Sequence, residues 1–208
     1  MRRALWLLGT AAFGVACSDP TIPVRSAAYA FDLAGDVFHW PTTPPQRDMK
    51  LWVDPRGALP RLAQQSLDQW EAQFLYGEFR GIIVADSLDA DVLLKWGGAV
   101  PPDVPPDTGA PVNACNGVTL ISTDSTNTLD DFIRAEVNLS GSFTPEQTAA
   151  CVVRVTIHEL GHAIGILGHS PNPADLMYTS PAVTTPSDGD RRTVEVLYHT
   201  APTIFPRP

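Results

Sequence analysis

The tightest constraint on this chain is a pair of histidines four residues apart, His158 and His162, inside a run that reads as one helix. Residues i and i+4 of a helix lie one turn apart on the same face. The two imidazoles can therefore hold one metal ion jointly. Glu159 follows the first histidine directly, where a carboxylate reaches a water on such an ion. The flanks agree with a helix. Thr144-Pro145-Glu146-Gln147 offers a capping threonine, a proline suited to the first helical position and a glutamine spaced to close a capping box. From Ala149 to Ile164 the residues are mostly apolar, which predicts a helix buried on most sides. Gly165 supplies a stop. Beyond it the chain can turn back and bring His169 to the same ion.

A bare pair of this kind arises by chance, and most buried helical histidines are satisfied core residues. The longer constellation is harder to obtain by accident. His158-Glu159-Leu160-Gly161-His162, Gly165, His169-Ser170 and the later Asp175-Leu176-Met177-Tyr178 together resemble a metzincin, most closely the matrixin branch. The pattern of that branch is HExxHxxGxxH followed by a methionine-containing turn. The resemblance implies a zinc ion held by His158, His162 and His169, Glu159 as general base, and Met177 beneath the metal in the Met-turn. One departure stands out. Ile166-Leu167-Gly168 puts three residues between Gly165 and His169, where the pattern has two, and Gly168 makes a one-residue bulge sterically easy. The histidines of the additional structural zinc site of animal matrixins are not available, since only His39 and His199 remain.

Residues 1–17 read as a secretory leader: Arg2 and Arg3 form a charged start, and Ala4 to Val15 is apolar but too short to span a bilayer. Phe13-Gly14-Val15-Ala16-Cys17 resembles a bacterial lipobox, which implies lipidation of Cys17, with plain secretion as the other reading. Either route predicts an exported protein, and membrane contact only through that lipid. Of the three cysteines, Cys115 and Cys151 then form an even pair, expected to be oxidised to a disulfide in an exported protein. The alternative is two buried thiols. The net charge of -9 and the lack of a Lys/Arg cluster argue against nucleic-acid or anionic-membrane binding.

Residues 18–47 are rich in Pro, Ala, Thr and Ser and read as a tether or extension, with Val37 to Trp40 as a stretch suited to packing on the domain. The domain itself is expected over residues 48–208, as a monomer. Strands are predicted at Met49–Val53, Phe79–Ala85, Ala90–Trp96, Val118–Ser122 and Phe132–Leu139, with a helix over Leu59–Tyr76 stopped by Gly77. In that helix Ala63, Leu67, Trp70 and Phe74 form a core stripe. Ser187 and Asp190 are spaced as a capping box for a last helix, with Val194, Leu197 and Tyr198 facing the core. Strands alternating with helices predict an α/β (α+β) fold built on a mostly parallel sheet. The resemblance adds five twisted strands with one antiparallel edge strand, an active-site helix, a Met-turn and a C-terminal helix. Val100 to Asn116 reads as a Pro-rich surface loop; Asp103 and Asp107 within it are candidate calcium ligands that nothing else in the sequence supports.

Three functions follow as expectations. The first is a zinc endopeptidase cutting protein or peptide substrates. The second is a lipid-anchored surface protein that keeps zinc but has lost hydrolysis, for which the additional residue before His169 is the one motive. The third is a hydrolase of another substrate.

Overall fold

The computed structural model describes residues 25–42, 48–97, 114–140 and 144–207. The leader with Cys17 and the loop carrying Asp103 and Asp107 lie outside these residues. The element order is β1 (Met49–Val53), α1 (Leu59–Glu71), β2 (Gly81–Val84), β3 (Val92–Trp96), β4 (Ala114–Leu120), β5 (Ile133–Ser140), α2 (Pro145–Ala163) and α3 (Asp188–Leu197). The strands form one sheet in the order β2-β1-β3-β5-β4. β1 pairs with β2 and β3 in parallel, and β3 pairs with β5 in parallel. β4 runs antiparallel to β5 at the edge, with Gly117 opposite Val137 and Thr119 opposite Ala135. This is the fold class the sequence predicts.

Parallel sheets are usually covered on both faces, but this one is one-sided. Met49, Leu51, Val53, Val92, Leu94, Trp96, Ile133, Ala135 and Val137 are buried. Alternate residues, such as Lys50, Trp52, Lys95, Arg134 and Glu136, are partly or fully exposed. The buried face meets both long helices. On α1 the stripe Leu59, Leu62, Ala63, Leu67 and Trp70 is buried, and a Cβ on Gly81 would lie 2.6 Å from Leu67. The Trp70 indole N–H donates to the Ile157 carbonyl at 2.9 Å, which locks α1 to α2.

Several boundaries move. The first helix ends at Glu71, not Tyr76: Gln73 and Phe74 bond back three residues instead of four, and the turn carries Phe74 into the core. The second and third strands are shorter than predicted because Phe79 and Ala90 pack without joining the ladder. The edge strand starts at Ala114, so Cys115 and Asn116 belong to β4 and not to the preceding loop. The extension is also a correction to the domain limit at residue 48. Tyr29, Val37, Phe38 and Trp40 belong to the hydrophobic core, because these apolar and aromatic side chains bury against the C-terminal part of the domain.

The predicted disulfide is present. Cys115 and Cys151 are joined, with Cα atoms 5.9 Å apart. The bond ties the edge strand to the second turn of α2. Replacing both cysteines by serine should lower the unfolding free energy by about 3–4 kcal/mol in the loop-entropy view, given the 36-residue separation. Urea melts of the variant and of the oxidised parent measure it.

Candidate metal centre

Helix α2 carries the first two predicted ligands and is fixed at both ends. At its start the capping box is complete: Thr144 accepts from the Gln147 N–H, and the Gln147 side chain accepts from the Thr144 N–H. At its end every one of the last carbonyls finds a donor, as a buried helix terminus requires. Gly165 has a positive φ of 121°. Its N–H donates to His162 O and that of Ile166 to Gly161 O, which is the pattern of a Schellman stop. The next two carbonyls are taken by side chains from distant segments. Trp40 Nε1 donates to Ala163 O at 3.1 Å, and the Tyr198 hydroxyl donates to Ile164 O at 3.0 Å.

The third histidine joins the first two despite the additional residue. His158, His162 and His169 bring their ligating atoms within 4.8 Å of one another. Their ring centroids are 4.8–5.4 Å apart. The bulge before His169 is held from outside the motif. The amides of Leu167 and Gly168 both donate to Phe31 O, at 2.8 and 3.3 Å. A Cβ on Gly168 would lie 2.4 Å from the Ala30 carbonyl oxygen. The extension thus braces the inserted residue, and only glycine lets it come so close.

Second partners fix the ring orientations. His158 Nδ1 donates to Leu176 O at 2.8 Å and His162 Nδ1 to Ile166 O at 2.6 Å, which leaves both Nε2 atoms free to ligate. Burial lowers the pKa of all three imidazoles; for His162, where the His158 charge adds to burial, it falls to about 3. They are therefore neutral, as ligands must be.

The Met-turn sits under this group. Met177 is fully buried, and a Cβ on Gly161 would meet its sulfur at 2.4 Å. Ser170 N–H donates to Met177 O, which ties the turn to the residue after the third ligand. Two buried carboxylates hold the turn. Asp175 accepts from the hydroxyls of Ser170 and Ser187, each at 2.6 Å. Asp190 accepts from the amides of Leu176, Met177 and Ser187 and from the Tyr29 hydroxyl at 2.6 Å. Burial and the Asp190 charge push the Tyr29 phenol up, so it stays a donor. Sequence reasoning gave Asp190 only its capping role and Trp40 only a packing one, and missed Tyr29 and Phe31. Their contacts span more than 120 residues, and no local pattern carries them.

Glu159 stands at the rim of the same cleft, a cavity of about 830 Å³ lined by the three histidines, β4 and residues 179–182. The residue is only 4% exposed. Thr119 of β4 donates to its Oε2 at 2.7 Å. Burial raises its pKa to about 7, and the Thr119 hydrogen bond opposes the rise. Gly117 makes the room: a Cβ there would lie 2.4 Å from Glu159 Oε1.

Residues 59–199, more than half of the chain, match the family described as Matrixin. The chain belongs to the matrixin family. No curated protein matches it. As a matrixin it is a zinc metallopeptidase acting on peptides. The donor set fits that ion: three neutral imidazoles, two of them anchored through Nδ1, facing an open cleft where a fourth position stays available.

Gly117→Ala tests the packing around the carboxylate. The added methyl displaces Glu159 while leaving all three histidines untouched. Zinc content should stay at the parent level while peptidase turnover falls by about 100-fold, read by metal analysis and peptide cleavage on one sample.

Proposed function

We propose that this matrixin is a zinc-dependent endopeptidase in which Glu159 moves the proton of the attacking water. The observation that carries this reading is the meeting of three imidazoles and one buried carboxylate beside an open sheet edge. His158, His162 and His169 would hold the ion. When bound, zinc supplies a Lewis acid that acidifies water and polarises a carbonyl. Glu159 takes the water proton and returns it to the leaving amine. A carboxyl near pKa 7 is suited to both transfers at neutral pH. Thr119, by holding Oε2, leaves the other oxygen for this task.

Strand β4 pairs with β5 alone among the described residues, so its outer edge offers free backbone groups to an extended peptide. The cleft follows that edge from Cys115 to Ile121, on the order of 20 Å of strand. That length receives residues on both sides of a scissile bond, which favours internal cleavage. The zinc-keeping surface protein without hydrolysis loses its motive, since the additional residue does not divert His169. A purely structural site also has no use for a buried carboxylate beside Gly117.

Glu159→Gln should keep zinc bound and lower cleavage of a diverse peptide library by about 100-fold or more; unchanged turnover would remove Glu159 from the mechanism. His169→Ala should weaken zinc about 100-fold or more in a chelator competition; we take roughly that loss because the site then keeps only two protein ligands. We further propose that residues 1–17 direct export and that Cys17 carries a lipid; the Cys115–Cys151 disulfide supports an oxidising destination. Cys17→Ser should then move the protein from the membrane fraction to the soluble one, read by fractionation and immunoblot.

A further inference from the structure

Beyond the three histidines and Glu159, the cleft carries one cation with nothing to neutralise it among the described residues. Arg154 lies on α2 one turn before His158, about 6 Å along the helix axis, and lines the same cleft. Its side chain is partly buried. Among the described residues no carboxylate is within ion-pair distance of it. Among those residues its one side-chain hydrogen bond runs from Nη2 to the Cys115 sulfur at 3.5 Å, a weak acceptor. A guanidinium has five N–H donors in a rigid fork that matches a carboxylate, so most of this fork is unmet among the described residues. The disulfide also fixes where the fork sits. It joins Cys115 of the edge strand to Cys151, three residues before Arg154 on α2, so both walls beside the guanidinium are tied together. The cation stands out on a chain of net charge -9, whose overall field disfavours acidic peptides.

We infer that Arg154 is a specificity residue that receives a carboxylate of the bound peptide on the Cys115 side of the metal centre. This rests on the peptidase reading for its substrate and adds the class: peptides with an acid at one fixed position from the scissile bond. The carboxylate has two sources, an Asp or Glu side chain or the free C-terminus of the peptide.

The test separates these sources and does not depend on turnover. The probes are fluorescent, N-acetylated alanine-based peptides in which one Glu, Gln or Lys is walked along the sequence, each made with an amidated and with a free C-terminus. Binding is read by anisotropy on the zinc-loaded Glu159→Gln protein, with and without Arg154→Glu. At one position the Glu peptide should bind about tenfold tighter than the Lys peptide, and Arg154→Glu should reverse that order. The same order confined to free C-termini, and erased by amidation, assigns the carboxylate to the chain end. Equal binding of the Glu, Gln and Lys members, with no response to Arg154→Glu in either C-terminal form, overturns the inference. Cleavage of the same peptides by the parent protein is scored separately. Charge-ordered binding without cleavage would sink the peptidase reading and leave the role of Arg154 intact.

Discussion

The metal centre hangs on a buried carboxylate that has no cation beside it among the described residues. Asp190 is fully buried and is stabilised by four donors from three segments: Tyr29, the amides of Leu176 and Met177, and its own cap at Ser187. Charge-assisted bonds of this kind are stronger than neutral ones, and losing one partner leaves a desolvated charge. The consequence runs outward in two steps. Asp190 fixes the backbone at Leu176, and the carbonyl of Leu176 fixes the ring of His158. A ligand orientation thus depends on a side chain from α3, 32 residues away in sequence, that is not one of the three ligands.

The same economy marks the end of α2. A glycine stop, an indole and a phenol satisfy the terminal carbonyls between them. The two side chains come from opposite ends of the chain, and both are almost completely buried. The helix that carries two ligands therefore cannot fray without exposing Trp40 and Tyr198 as well. That rigidity is what a preorganised site needs, because small displacements of a ligand or base cost large factors in rate.

What the sequence made legible was the part written in local periodicity. The capping boxes at Thr144 and Ser187, the glycine stop at Gly165, the stripe on α1 and the i, i+4 histidines all depend on neighbours within a turn or two, and they are where they were expected. The end of α1 at Glu71 was not legible. A helical stripe reaching Phe74 looks the same whether that ring is carried by a helix or by a turn folding back. The true start of β4 was hidden for a related reason: Ala114 to Asn116 has no strand pattern of its own and is recruited by the antiparallel ladder with β5. The role of the extension was hidden most deeply. Phe31 acts through a backbone carbonyl, which no side-chain pattern records.

The extension is sewn to the domain through Ala28 and Tyr29, which reach Thr193 and Asp190 of α3, before the chain arrives at Phe31 and the ligand bulge. Tension entering along the polypeptide from ahead of Arg25 is therefore borne first by the Arg25–Glu195 ion pair and these bonds to α3, next by the Phe31 bridge, and only afterwards by the sheet. Mechanical load on the leading end reaches the histidine shell while the bulk of the domain is still unstressed.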